Sequence, residues 1–588
     1  MNLAIPIFFG GVRHLAGWFA QGAQGALGAG TRRCAVLLCP PIGHEYMCSH
    51  RAFRNLTRDL AATGFSVLRF DYRGTGDSGS APATESLVPA WLESVSLAAD
   101  ELRLRSGADK LAFIGLRFGA TMAATAATSR HDVDSLVLWS PCTNGRSLIR
   151  QTRMLAMSIA ERPGDLVLEA EGIESAGFLL DAATVADIAR MNMHDDATHT
   201  AKSSLILTRH DAQSEQELIG VLTGAGVDCE EKRYRTHAEF MISPLHSVLP
   251  TDAMATIVQW LDVKYPLIGE ATGIPPITIE PASESLTNGI RESAVSFSDG
   301  RLSGILVEPV AASGNPAVVL LNTGADHHVG PHRMYVPLAR QWAELGFSVL
   351  RFDLAGIGDS QSNDALMTNE SYPASALRDI HDAIAYMIEE RRYGSVILAG
   401  MCSGAYHSIY AVDSGVSGVI AVNPPLYYRR GDPIDEDPYS NEVETRRVTR
   451  ALRSPAKWRR LLSGRVDLRY TFTVLTGRAY VASRAIAAGT RRLLGRDGNE
   501  RQDVTGMFRN GLAMHLIFSG GDASQIFFER EIAPRIGRSR QRDDFTVDVV
   551  PGADHTFMSV KWQRALMNLM TQRLLQHRAP EPAPRAGS

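Results

Sequence analysis

The sequence predicts an α/β architecture: two tandem domains, each a mostly parallel sheet flanked by helices and each carrying a helical cap insertion. Three observations predict it. Residues 64–78 read GFSVLRFDYRGTGDS and residues 346–360 read GFSVLRFDLAGIGDS, identical at twelve of fifteen places with an offset of 282. Further on, each half reaches a strand-to-helix elbow, IGLRFGA at 114–120 and AGMCSGA at 399–405, with an offset of 285 between Gly115 and Gly400. Both halves also alternate short, continuous apolar runs with amphipathic stretches, the pattern of a parallel sheet covered on both faces.

The elements follow one another in the same order in each half. A hairpin comes first, IPIFFG turning into HLAGWFA, matched by AVSFSDGRLSGILVEP at 294–309. A buried strand follows at 34–40 or 317–324, then a helix at 51–64 or 334–346, then the repeated FSVLRFD strand with its Gly-rich loop. A further helix (91–105; 375–391) leads to the elbow, and another apolar strand follows at 135–141 or 418–425. Each half then loses the strand rhythm, at 143–203 and at 427–513, before the sheet resumes with SSLILTRHDA and AMHLIFSGGDA. An insertion at one point of such a sheet reads as a cap over a site. The implied domains are 1–267 and 289–577, joined by a Pro/Gly/Ser-rich linker at 268–288 and followed by a disordered tail at 578–588.

The chain has 588 residues, 45% of them hydrophobic, enough for two full cores. Its net charge of −4 gives no reason to expect a nucleic-acid partner. No apolar run approaches the roughly 18–20 residues that span a bilayer. The start, MNLAIPIFFGG, lacks the basic flank of a leader and reads as the first strand of the hairpin. Six cysteines, five of them in the first half, show no CxxC pair or metal-ligand spacing, so no metal or cofactor is expected and a reducing, cytoplasmic setting fits.

Gly400-Met401-Cys402-Ser403-Gly404 has the form of a nucleophile elbow, in which the central residue sits in a strained turn between strand and helix. On this elbow, the strand order, the RFDxxGxGDS loop and the cap position, the chain resembles a tandem of α/β-hydrolase domains. In detail it is most similar to serine aminopeptidase-type hydrolases and to the small hydrolases associated with exosortase or biosynthetic gene clusters. The resemblance implies the order nucleophile, acid, histidine, which Cys402, Asp522 and His555 satisfy at successive strand ends. His555 would take the thiol proton, Asp522 would hold the imidazole, and the helix N-terminus would favour a thiolate at Cys402. The oxyanion hole is expected from the backbone N–H of Ser403 and one from the Asn322–Ala325 loop, at Gly324 or Ala325. Dienelactone hydrolases and some thioesterases of the superfamily use such a cysteine, which points to an acyl ester or thioester as substrate. Hydrolysis, acyl transfer and a non-catalytic accessory role all stay open at this point.

Ser403 falls one place past the turn. His327, His328 and His332 are read as polar residues at the rim of the site, because their spacing fits no standard metal set. Asp77 and Asp359 of the GxGDS loops are read as turn architecture.

The first elbow, Gly115-Leu116-Arg117-Phe118-Gly119, keeps both glycines but has no nucleophile, since a guanidinium has no usable lone pair. Asp211 and His237 read as relics of a triad, with His246 a poorer match for the histidine. A cation at a helix N-terminus opposes the helix dipole, so Arg117 is expected to pair with Asp211 or Glu239, or to bind an anionic ligand. Residues 427–510 hold eighteen Arg or Lys against ten Asp or Glu, with Trp458, Leu461 and Leu462 set among Lys457, Arg459 and Arg460. This basic cap reads as a solvated lid face, a docking surface for an acyl-carrier protein or acyl-CoA, or a membrane-surface contact.

Overall fold

The computed structural model describes the chain apart from residues 1–3, 23–28, 81–85, 160–171, 195–200, 211–214, 271–282, 287–288, 312, 363–368, 429–511, 538–541 and 580–588. The basic cap therefore lies outside the described residues, as do Asp211 and nearly all of the tail. Two compact units are formed: Met1–Ser313 with Ala325–Pro373 and Met558–Arg564, and Gly314–Gly324 with Ala374–Phe557 and Ala565–Ser588.

The first unit contains an eight-stranded sheet in the order Ile5–Phe9, Leu15–Ala20, Val67–Phe70, Cys34–Cys39, Lys110–Leu116, Val133–Trp139, Ser203–Arg209, Asp228–Tyr234. The first two strands form the expected antiparallel hairpin, and the other six run parallel. Cys34–Cys39, Val67–Phe70 and Val133–Trp139 are buried along their whole length, which is why they are mostly apolar and show no alternation, with Arg69, Asp134 and Ser135 the polar exceptions. Asp228–Tyr234, DCEEKRY, has no such run; it is the edge strand, and its exposed charges suit an edge that faces water. Helix Leu87–Ser106 is stopped cleanly at both ends, by the Ser86 side chain on the Val88 N–H and by Gly107 in the left-handed region.

The second hairpin, Ile290–Phe297 with Leu302–Pro309, also belongs to this unit and pairs antiparallel with Val349–Phe352. The stretch expected as a linker is strand at both ends. Ile268–Glu270 pairs with Ala29–Thr31, and Ser283–Leu286 extends the hairpin. Three helices differ from their expected bounds: the first starts at His44 rather than 51, the next at Leu87 rather than 91, and the one expected over 375–391 is α-helical over Ala376–Ala385 and continues as a π turn over Tyr386–Glu390. In the second unit five parallel strands follow in the order Ala317–Leu321, Val396–Met401, Val416–Val422, Ala513–Ser519, Phe545–Val550.

The repeated passage owes its identity to a self-stapled turn. Asp71 Oδ2 accepts the Asp77 N–H at 2.9 Å, and Asp353 Oδ2 accepts the Asp359 N–H at 2.9 Å. Ser78 Oγ donates to the Asp71 carbonyl, and Ser360 Oγ to the Asp353 carbonyl. Gly76 and Gly358, with φ of 47° and 48°, close over these carboxylates; a Cβ there would lie 2.0 and 2.1 Å from the carboxylate oxygen. The first aspartate of each motif is thus the turn residue. Asp77 and Asp359, expected as turn architecture, point their side chains elsewhere: Asp77 to Arg351 and His328, Asp359 to Arg69 and His50.

Candidate active site

Strand Val396–Met401 is wholly buried and turns sharply into helix Ser403–Tyr410. Cys402, at the turn, has φ 53° and ψ −117°, a strained geometry for a residue with a side chain. The flanking glycines allow it. A Cβ on Gly400 would lie 2.6 Å from the Gly404 carbonyl carbon, and one on Gly404 would lie 2.6 Å from the Asn322 carbonyl oxygen. Cys402 is partly exposed, whereas Cys34, Cys48 and Cys142 are buried, and burial pushes their thiols up to about 12.

Asp522 follows strand Ala513–Ser519 and caps helix Ala523–Phe527, accepting the Ser524 N–H at 2.8 Å through Oδ1. Its Oδ2 lies 2.8 Å from His555 Nδ1, in the loop after strand Phe545–Val550. Cys402 also acts on the His555 imidazole and favours its charged form. Burial disfavours the imidazolium, but Cys402 and Asp522 outweigh burial and hold His555 well above its ordinary value. Burial likewise disfavours the Asp522 carboxylate, and the hydrogen bonds from His555 and Ser524 reverse that, leaving it below the usual carboxylate range. The three residues picked from the sequence are therefore together, with Nδ1 facing the acid and Nε2 left for the sulfur.

Asn423 was missed by the sequence reading. It follows strand Val416–Val422 with φ 47°, fully buried, and its Nδ2 donates to the His555 carbonyl and to Ser519 Oγ, each at 2.8 Å. Its Oδ1 accepts the Ser519 N–H, and Ser519 Oγ donates to the Asp554 carbonyl. One asparagine thus ties the acid-bearing strand end to the histidine loop. The signal was an Asn just past an apolar strand, since Asn tolerates the left-handed region.

Two of the three residues expected at the oxyanion hole have other surroundings. The Gly324 N–H donates to Ser403 Oγ at 2.8 Å and is already engaged, while Ala325 belongs to the other unit. Ser403 is buried with its hydroxyl held by Gly324 and the Asn322 carbonyl, which argues against it as a nucleophile.

In the first unit Arg117 repeats the elbow geometry, with φ 55° and ψ −121°. Among the described residues its partners do not include Glu239. Nε donates to Glu45 Oε1 at 2.9 Å, Nη2 to Gln151 Oε1 at 2.9 Å, and Nη1 to the Ser140 carbonyl at 3.4 Å. Glu239 is exposed and Asp211 lies outside the described residues. Burial disfavours the guanidinium charge, but Cys142 and Glu45 outweigh burial and raise its value further. His237 Nδ1 bonds Tyr234 Oη at 2.7 Å, which in turn bonds Ser140 Oγ, and His246 bonds Ser243.

His327 and His328, expected at a rim, are buried. Atoms of His328, Asp353 and Asp359 lie within 4.8 Å of one another, as metal ligands would. The chemistry does not fit a metal. His328 Nδ1 faces Asp353 Oδ2 at 2.8 Å and Nε2 faces Asp77 Oδ2 at 2.7 Å. Burial opposes its charge, but the two carboxylates raise it to about 10, so neither nitrogen keeps a lone pair for an ion.

Among the described residues no helix is long and apolar enough to cross a membrane. Among the curated proteins, none matches the chain. Two family models match it: serine aminopeptidase, S33, over residues 36–197, and the alpha/beta hydrolase family over residues 318–565. Among solved structures the chain is similar to Est1E from Butyrivibrio proteoclasticus, at 14% identity, over 44% of this chain and 97% of that one, with a TM-score of 0.33. An esterase from Pyrococcus furiosus matches at 13% identity, over 44% and 89%, with a TM-score of 0.32. A dienelactone hydrolase from Anabaena variabilis matches at 11% identity, over 51% and 100%, with a TM-score of 0.30. The repeated sheet order, the paired elbows and the two family matches lead to one conclusion: the chain is built from two α/β-hydrolase domains in tandem.

Proposed function

We propose that the second domain hydrolyses an ester or thioester through Cys402, His555 and Asp522, and that the first domain does no covalent chemistry. The observation that carries this reading is the 2.8 Å contact of His555 Nδ1 with Asp522, made by a histidine whose charge the elbow cysteine also favours. His555 Nε2 accepts the thiol proton as the sulfur attacks the carbonyl carbon. The resulting oxyanion faces the N-terminus of helix Ser403–Tyr410, where the Ser403 N–H is the nearest donor in sequence. Collapse breaks the bond to the leaving alkoxide or thiolate, which takes the proton back from His555. Water, deprotonated by the same imidazole, then attacks the acyl-thioester, releasing the acid and restoring the thiol. An acceptor alcohol or amine in place of water would turn hydrolysis into transfer. Arg117 offers no nucleophile at the matching place, so the first domain serves as scaffold and binding module.

The test is turnover of p-nitrophenyl and acyl-thioester esters by wild type, Cys402→Ala and Arg117→Met, with intact-mass detection of the acyl adduct. Turnover and an adduct that disappear in Cys402→Ala alone are expected. An unreactive Cys402 with no turnover of any ester would sink the reading in favour of a non-catalytic binding protein.

A further inference from the structure

Arg117 stands between two cavities of the first domain. One, of about 160 Å³, is polar and is lined by Ser140, Thr143, Ser147 and Arg209, among others. The other, of about 190 Å³, is largely apolar, with Trp91, Phe178, Leu155 and Leu180 in its wall. Arg117, Leu148 and Gln151 line both, so the guanidinium meets each compartment. Leu155 and Leu179, which line the apolar cavity, are exposed, leaving an apolar mouth. A salt bridge filling a dead pocket would account for Arg117 and Glu45, but not for an open apolar chamber beside them.

A second observation points to a ligand. Ser175 lines the apolar cavity, is 8% exposed, and its hydroxyl has no hydrogen-bond partner among the described residues. A buried hydroxyl in an apolar wall loses its hydration without compensation unless something in the cavity meets it. The Arg117–Glu45 pair is also exchangeable in kind. Glu45 itself lines the apolar cavity and its side chain is 26% exposed, against 10% for Arg117. It is the second residue of helix His44–Ala62, able to swing toward water while the arginine stays fixed by the elbow.

We propose that this pocket is a binding site for a small monocarboxylate with an apolar tail. Its carboxylate takes the place of Glu45 on Arg117, accepting the Nε–H that Glu45 Oε1 now accepts. The tail fills the chamber walled by Trp91 and Phe178, with Ser175 available to a polar group on it. Glu45 is then a built-in competitor: it neutralises the buried arginine when the site is empty, and reduces apparent affinity by the fraction of time it occupies the guanidinium.

The site is tested by calorimetric titration of octanoate and hydrocinnamate into the full chain carrying Cys402→Ala, with octanamide as the uncharged control. Both acids are expected to bind and octanamide is not. Arg117→Met should weaken the acids by about tenfold or more, the loss of a charge-assisted pair, while circular dichroism checks its fold. Glu45→Gln should tighten them about three- to tenfold by removing the competitor. The idea is overturned if neither acid binds wild-type or Glu45→Gln pockets, if octanamide binds equally well, or if Glu45→Gln leaves affinity unchanged. Ester turnover in the protein with Cys402 intact is read separately, so failure of this site and failure of the triad are told apart.

Discussion

Arg351 Nη1 donates to Asp77 Oδ1 at 2.6 Å with both side chains fully buried, and Arg69 pairs with Asp359 in the same way. Each bridge joins the arginine of one copy of RFDxxGxGDS to the second aspartate of the other, so the repeats exchange partners. Breaking a buried pair from one side leaves an uncompensated charge, at a typical cost of about 3–5 kcal/mol. Arg351→Met should therefore lower urea-unfolding stability by about that much, and Arg351→Met/Asp77→Asn should recover part of it. Equal stability of wild type and the single variant would show that the pair contributes nothing.

His328 supplies a pH dependence to the same cluster. Its imidazolium lies between Asp77 and Asp353, and its value is raised to about 10 from 6.5. A raised value means that the proton binds the folded state more tightly. The stabilisation is complete below the ordinary value near 6.5 and is lost as pH rises toward about 10. Melting temperature should fall over that window in wild type, and His328→Gln should melt lower at pH 6 with a flatter profile above it. A wild-type profile no steeper than that of the variant would contradict the doubly bridged imidazolium.

The contrast between what could and could not be read ahead is physical. The parallel strands were legible because burial on both faces forces unbroken apolar runs, and the elbows because only glycine fits beside them. Cys402, Asp522 and His555 could be proposed together because such a sheet delivers successive strand ends to one edge. Glu45 was not legible. It lies 72 residues before Arg117 in sequence, and no periodicity marks an acid that the first turn of a helix brings to the elbow. The exchanged Arg–Asp pairs were hidden for the same reason: each motif is complete as a turn by itself, and nothing local says that its second aspartate faces the other copy. The edge strand Asp228–Tyr234 escaped because its charges belong to an edge, not to the apolar pattern of the interior.

The elbow glycines make a matched pair of variants. A Cβ on Gly404 would sit 2.6 Å from the Asn322 carbonyl oxygen, and one on Gly119 would sit 2.3 Å from the Cys39 carbonyl oxygen. Backbone cannot yield cheaply, so each alanine variant should lose about 1–3 kcal/mol or more. Gly404→Ala should also displace Cys402 and remove esterase turnover, whereas Gly119→Ala should lower melting temperature while the surviving folded fraction keeps its kcat. Full loss of turnover in folded Gly119→Ala protein would place chemistry in the first domain.

Protonation of the proposed triad gives the most direct check on its chemistry. Cys402 and Asp522 hold His555 well above its ordinary value against burial, so the acid needed by the leaving group persists into alkaline pH. Asp522 is held below the usual carboxylate range, so it stays ionised as pH falls and continues to orient Nδ1. In Asp522→Asn the charge that raises His555 is gone and the imidazole loses its acceptor. The alkaline limb of the kcat/KM profile should then move to lower pH, with a loss of about 10²–10⁴ at the optimum, the range of general acid–base catalysis. Iodoacetamide labelling of Cys402 near neutral pH should slow in His555→Ala, because the imidazole that takes the thiol proton is absent. If labelling keeps its wild-type rate and Asp522→Asn keeps its alkaline limb, Cys402 is not coupled to His555 and Asp522.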